Sequence, residues 1–331
     1  MTNQQQHGSV GVGALLPSAA EERFGKLTIA APLKNYSSWK IGGPADLMIE
    51  PSNSDQVSAV LRFAKDLGIP LVVIGQGTNL LFDDAGVRGI VLRIGEQLAD
   101  IQVKEQRIVA GAGAWVPQVA RMAMQAGLTG LEHTIGIPGT VGGLVMMNGG
   151  SQRKGIGENV ARVTIVDASG KIHHLSREDC DFSYRHSALQ GTGCVVVDVE
   201  LVCPQGKLSQ VRREMLIDLR SRRQKFPRKL PNCGSVFLST AEMHASVGPP
   251  GKIIEDAGLK GTRVGNAEVS RQHANFIVNL GGATSADVLV LIKQVRQEVF
   301  QQIGFELNCE VRYVSPKGKV VPAHQHVGPV G

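Results

Sequence analysis

Apolar positions along the chain follow two periods. From Ala45 to Glu50 they run almost without interruption, as in a strand buried on both faces, whereas Val57, Val60, Leu61 and Ala64 recur at three- and four-residue steps. The second pattern predicts a helix over Ser54 to Leu67, stopped by Gly68. Pro70 to Ile74 reads as another buried strand, Arg107 to Ala110 as a strand, and Trp115 to Ala126 as a helix with Pro117 in its first turn and Gly127 after its last. Val160 to Asp167 and Lys171 to Leu175 predict a hairpin across Ala168-Ser169-Gly170, followed by a strand over Cys194 to Val202.

The pattern changes at Cys203-Pro204-Gln205-Gly206, read as a linker before a helix from Leu208 to Gln224. Beyond it the sequence predicts strands over Ser235 to Ser239, Phe276 to Leu280 and Phe305 to Val314. It also predicts a short helix over Lys252 to Ala257 and a helix opened by the Thr284-x-x-Asp287 capping pattern. The expected class is α+β. The expected divisions are a mobile tail over 1–26, two linked subdomains over 27–95 and 96–203, a third domain over 207–316, and a second mobile tail over 317–331.

Composition narrows the chemistry. The 331 residues are long enough for about two cores. No apolar run reaches the ~18 residues of a membrane-crossing helix, so no membrane partner is expected. Fourteen aromatic residues are too few for a surface that stacks many bases or sugars. The net charge of +6 suits anionic ligands. Five cysteines without a C-x-x-C pair predict reduced thiols and a cytoplasmic protein. No metal site is expected: His173-His174 and His324-x-His326 lack acidic or cysteine partners nearby in sequence and read as solvated loops or tails.

Glycine is concentrated: 17 of the 40 fall within residues 75–157. Two segments stand out, Gly75-Gln76-Gly77-Thr78-Asn79-Leu80 after a buried strand and Gly136-Ile137-Pro138-Gly139-Thr140-Val141-Gly142-Gly143, the latter leading to Asn148-Gly149-Gly150. Bare main chain of this kind can offer successive N–H groups to phosphate oxygens. Leu80 replaces the third glycine of G-x-G-x-x-G, which argues against a Rossmann turn.

These two segments resemble the FAD-binding domain of the vanillyl-alcohol-oxidase type. Together with Tyr184-Arg185-x-Ser187, Gly234-Ser235-Val236-Phe237 and Glu310-Val311-Arg312-Tyr313, in that order, they are similar to the UDP-N-acetylenolpyruvoylglucosamine reductase family, in its shorter form without an extra tyrosine loop. The resemblance runs from about Asn35 to Tyr313. It implies noncovalent FAD, NADPH as co-substrate, and reduction of an enol ether on UDP-N-acetylglucosamine-enolpyruvate to UDP-N-acetylmuramate, a peptidoglycan precursor.

It also implies roles for individual residues. Arg185 would stabilise the enolate, Ser235 would donate the proton, and Glu310 would polarise the substrate carboxylate or assist the proton. Residues 75–80, Gly136, Ile137, Pro138, Gly139, Thr140, Gly142, Gly143, Asn148, Gly149 and Arg222 would hold the cofactor, with Lys225 and His273 on the substrate. A monomer is expected. Eight basic residues within Arg212 to Lys229 leave RNA binding as a competing reading, though no nucleic-acid partner is expected because no recognised module accompanies the charge; a different flavin oxidase on the same scaffold is the other alternative.

Overall fold

The computed structural model describes residues 12–330. The first part holds α1 (Ala20–Phe24), β1 (Lys26–Pro32), β2 (Pro44–Glu50), α2 (Ser54–Asp66), β3 (Leu71–Ile74), β4 (Leu80–Phe82) and β5 (Val87–Arg93). Their first sheet has the order β1-β2-β5-β3, antiparallel between β1 and β2 and parallel elsewhere. The side chain of Asn53 caps α2 by accepting from the Gln56 amide, and Val57, Val60, Leu61 and Ala64 are buried on its inner face. Burial of each of the Val and Leu side chains stabilises the fold by about 1.5–3 kcal/mol, so together they outweigh the cap at about 1 kcal/mol.

The second part holds β6 (Ile101–Lys104), β7 (Arg107–Gly111), α3 (Val116–Gln125), α4 (Val141–Met146), β8 (Val160–Val166), β9 (Ile172–Ser176) and β10 (Val195–Val202). Its sheet is antiparallel throughout, ordered β6-β7-β10-β8-β9. One apolar cluster joins the first two parts, and α5 (Leu208–Lys225) enters it through Val211 and Met215. The expected boundary before α5 is therefore displaced. Residues 203–206 are not a free linker, because Cys203 N–H donates to Gln106 O at 2.9 Å and Gly206 N–H to Gly127 O at 2.8 Å. The helix is held on the N-terminal core at both its start and its apolar face.

The third part adds α6 (Ala241–Ser246), α7 (Pro250–Asp256), β11 (Arg263–Val264), β12 (Ala267–Val269), β13 (Ile277–Asn279) and α8 (Ser285–Ile303). After them come β14 (Arg312–Val314), β15 (Val320–Pro322) and α9 (Ala323–Val327). Thr284 and Asp287 form the capping box at the start of α8. The core of this part recruits Trp39, Ile41 and Leu81 from the first, and β4 pairs in parallel with β14. Trp39 Nε1 donates to Ile277 O and Asn279 Nδ2 returns a bond to Trp39 O, both at 2.8 Å. Asp84 accepts from the Ser285 amide and hydroxyl at the start of α8.

Several expectations change. The strand over Ser235 to Ser239 reduces to a single bridge between Phe237 and Cys309, and of Phe305 to Val314 only Arg312–Val314 is a strand, because main-chain pairing between the two segments stops after the bonds from Leu238 to Asn308 and from Glu310 to Val236. The C-terminal segment is ordered. Ala323 is fully buried, Gly328 O accepts from buried Arg296 at 2.6 Å, and Cys309 N–H donates to His324 Nδ1 at 2.9 Å. At the other end, Phe24 is fully buried and residues 12–26 are structured, while the part of the N-terminal tail over 1–11 lies outside the described residues. His173 also has an acidic neighbour, Asp167, at 2.7 Å, supplied by the hairpin rather than by sequence proximity.

Candidate active site

A cleft of about 1870 Å³ opens where the three parts meet. One wall is main chain. All six residues of 75–80 line it, and no backbone N–H of residues 75–79 donates to another main-chain group among the described residues. Gly77 has φ of +61°, and a Cβ there would fall 2.0 Å from Tyr36 O. Glycine is thus required both by conformation and by the close approach of residue 36.

Gly136, Ile137, Pro138, Gly139, Thr140, Gly143 and Gly149 extend the same wall, where Thr78 Oγ1 donates to Pro138 O at 3.4 Å. A Cβ on Gly136 would meet Arg222 Cδ at 2.3 Å, so the missing side chain makes room for the arginine stem. Arg222 reaches the cleft and lies over the Phe226 ring at 4.9 Å. Burial lowers its pKa against the opposing pull of Asp218, and the neighbouring cations Arg185 and Arg228 act in the same direction as burial. An anionic ligand would relieve that crowding of positive charge.

Two expected cofactor contacts are structural instead. Gly142 packs on Ala112, to which its N–H donates at 2.8 Å. Asn148, at φ of +40°, spans Ser183 O and the Gly157 amide, and neither residue is in the cleft wall. Lys225 and His273 are also absent from the wall. Lys225 is exposed at the end of α5, while Arg228 and Lys229 take the basic positions on the cleft. His273 packs against Phe226 and Phe276, with ring centroids 5.4 and 5.0 Å away, and its Nδ1 accepts from the Asn275 amide at 3.3 Å. Burial lowers its pKa, as does Lys260.

The opposite wall is side-chain chemistry, and it contains Arg185, Ser235 and Glu310. Arg185 Nε lies 2.9 Å from Glu310 Oε1, with its N–H not aligned on any acceptor, and Nη2 donates to Gly150 O at 3.2 Å. Burial raises the Glu310 pKa; Arg185 opposes the rise. Arg185 occupies the third position of a tight turn closed by reciprocal bonds of 3.1 Å between Ser183 and His186, with φ of +55°. Glycine usually fills that position, and a larger residue costs about 1–2 kcal/mol. A strained backbone at a charged cleft residue fits a site maintained for its chemistry.

Ser235 follows Gly234, whose φ is +77° and whose amide is held by Asn232 Oδ1 at 3.0 Å. Asn275 fixes the next residues: its O accepts from Val236, its Oδ1 accepts from the Phe237 amide, and its Nδ2 donates to Phe237 O, all at 2.9 Å. Glu310 N–H donates to Val236 O at 2.8 Å, and Asn79 Nδ2 donates to Glu310 O at 3.1 Å. A glycine-loop residue therefore touches the segment that carries the acid. Cys233, beside this turn, is buried and pushed up to about 12, which keeps it a thiol.

Two cleft residues were not singled out from sequence. Arg312 Nη2 donates to Gln190 Oε1 at 2.8 Å, and both line the wall. The spacing of two between Glu310 and Arg312 was the available signal for the arginine. Nothing local marks Gln190.

With this geometry in hand, residues 226–314 match the family described as "UDP-N-acetylenolpyruvoylglucosamine reductase, C-terminal domain", and residues 45–176 match "FAD binding domain". UDP-N-acetylenolpyruvoylglucosamine reductase 1 of Corynebacterium glutamicum is 50% identical over 293 residues, covering 88% of each chain. The chain belongs to the UDP-N-acetylenolpyruvoylglucosamine reductase family. The reductase of Heliobacterium modesticaldum is 42% identical over 87% of this chain and 90% of its own. The crystal structure of the Thermus caldophilus reductase superposes with a TM-score of 0.72 at 30% identity, covering 87% of this chain and 98% of that one. The fold is the family's α+β arrangement, an FAD-binding portion followed by a C-terminal domain. The cleft fits that cofactor: a glycine loop whose main-chain N–H groups at 75–79 have no main-chain acceptor among the described residues, together with a cluster of arginines, suits a diphosphate.

Proposed function

We propose that this chain is the FAD-dependent reductase that converts UDP-N-acetylglucosamine-enolpyruvate to UDP-N-acetylmuramate in peptidoglycan synthesis, with NADPH as electron source. The observation that carries the reading is the meeting of Arg185, Ser235 and Glu310 in one cleft with the glycine loops 75–80 and 136–143. FAD, when bound, carries hydride from the nicotinamide to the β-carbon of the enol ether. The residues named here supply the rest.

Addition at the β-carbon leaves negative charge on the α-carbon and the adjoining carboxylate. The Arg185 guanidinium offers a planar fork of N–H donors to that carboxylate. Glu310 beside it orients the guanidinium and polarises the substrate carboxylate. Ser235 gives its hydroxyl proton to the α-carbon, a step open to a weak acid because the enolate is strongly basic, and the cations nearby stabilise the resulting alkoxide. Arg222, Arg228 and Lys229 supply positive charge for the diphosphates of cofactor and substrate.

The five free cysteines are all buried, which supports a reducing cytoplasm as the site of the reaction. The test is direct. Purified protein reconstituted with FAD should be yellow; under anaerobic conditions NADPH alone should bleach the flavin with one equivalent consumed, and continued NADPH oxidation should require the enolpyruvyl UDP-sugar. Protein that cannot take up FAD, or that consumes oxygen with an alcohol and ignores the UDP-sugar, would refute the reading.

A further inference from the structure

Arg185 sits in a backbone conformation that its own side chain disfavours, so something outside the turn must hold it there. The reciprocal Ser183–His186 bonds close the turn but leave the Arg185 carbonyl to be satisfied elsewhere. Gln190 satisfies it. Its Nε2 donates to Arg185 O at 3.1 Å and to Met146 O at 3.0 Å, and its Oε1 accepts from Arg312 Nη2 at 2.8 Å. Met146 O also accepts from Ser187 Oγ at 2.7 Å, so the segment that leaves the turn is tied twice to the end of α4.

From this geometry we infer that Gln190 is a positioning residue, clamping the strained Arg185 turn against α4 and Arg312 so that the guanidinium lies beside Glu310 in the cleft. An amide side chain has two N–H donors and one carbonyl oxygen. Both donors of Gln190 are committed to main chain, and its oxygen already accepts from Arg312. A ligand could engage Gln190 as a hydrogen-bond acceptor only by giving up one of those donors. Its effect is therefore exerted through Arg185. The carboxamide also matches the site chemically: a carboxylate at 190 would set negative charge against two carbonyl oxygens, and an aliphatic side chain would leave the Arg185 carbonyl without its donor.

The inference rests on the role proposed for Arg185, and a double-mutant cycle separates the two. Gln190→Ala, Arg185→Ala and the double variant are followed in the two half-reactions, flavin bleaching by NADPH and reoxidation by the enolpyruvyl UDP-sugar. Gln190→Ala should leave bleaching within about twofold and slow reoxidation by roughly ten- to a hundredfold, about the loss expected when a charge-stabilising group is misplaced. On the Arg185→Ala background the same change should add nothing, because the group it positions is gone.

Additive losses would mean that Gln190 acts on its own and would overturn the inference alone. So would a normal Gln190→Ala enzyme beside a slow Arg185→Ala enzyme. A normal Arg185→Ala enzyme would overturn the reading of the site and the inference with it. The crystal structure of the Gln190→Ala protein gives a readout independent of turnover: Arg185 should leave its positive φ and move away from Glu310, and an unchanged turn refutes the clamp. Should alanine prevent folding, Gln190→Glu, which keeps the volume and the acceptor for Arg312 while losing both donors, should show the same split between half-reactions, and equal losses in both would count against it.

Discussion

The two walls of the cleft are built on opposite plans. The wall of residues 75–80 and 136–143 presents main chain, with glycines where a Cβ would strike Tyr36 or Arg222. The facing wall presents Arg185, Ser235 and Glu310, drawn from three separate segments and held by Asn275, Asn79 and Gln190. A wall of backbone needs only the correct local conformation to bind an anion. A wall of side chains needs distant parts of the chain brought into register. The first should therefore fail by losing its ligand or its stability, and the second by losing one chemical step while the protein remains intact.

The sharpest test of that contrast is Ser235→Ala. Reoxidation by substrate should slow by roughly 10³-fold or more, the order contributed by a positioned proton donor, while flavin bleaching by NADPH stays nearly normal in stopped flow. Equal loss in both half-reactions would erase the distinction between the walls.

Gly77→Ala probes the other wall. The added Cβ would meet Tyr36 O at 2.0 Å in a backbone at φ of +61°. The expected result is weaker flavin retention on gel filtration and a loss of about 2–4 kcal/mol in denaturant unfolding, drawn from strain and steric overlap. A variant that keeps its flavin and its stability would show that this loop is not rigid.

The two walls also differ in how they are tied to the rest of the fold. Truncation after residue 319 removes β15 and α9, buried Ala323 and the carbonyl of Gly328 that accepts from Arg296. It should lower stability by about 2–4 kcal/mol, through lost apolar burial and a buried guanidinium left short of a partner, measured by chemical denaturation. An unchanged midpoint would return the segment to the status of a tail.

The smallest effect concerns His133, near the backbone wall. It is 3% exposed and neither ring nitrogen has a hydrogen-bond partner. Burial, with Lys154 adding to it, lowers its pKa below the ordinary 6.5. Between the lowered value and 6.5 the unfolded chain holds more protons than the folded one, so stability should fall as pH drops below 6.5. Thermal midpoints of the wild type should therefore decline more steeply through that interval than those of His133→Phe; parallel curves would contradict the assignment.

Much of the fold was legible because it is local. The helix α2 follows from four apolar residues at helical spacing, α8 from Thr284 and Asp287, and the β8–β9 hairpin from Ala168-Ser169-Gly170. The segment around Ser235 was misread as a full strand because its pairing with 308–310 is one bridge long and Asn275 takes the remaining Phe237 bonds, a division that sequence spacing does not disclose. Residues 317–331 were misread as mobile because their anchors, Arg296 and Cys309, lie at positions the tail's own composition does not disclose. Lys225 and Arg222 are three residues apart on one basic helix, yet only the arginine faces the cleft, a choice made by where α5 lands on the N-terminal core.

By itself, then, the sequence determined the glycine-rich loops and the helices, since backbone conformation is a property of neighbouring residues, and its family motifs pointed to Arg185, Ser235 and Glu310 as candidates. Tertiary structure alone decided that the groups meet, which of several basic residues border them, and how a strained arginine turn is held. Those outcomes depend on contacts between residues far apart in the chain, such as Asn79 with Glu310 and Arg312 with Gln190. They exist only once the apolar clusters have fixed the distances between segments.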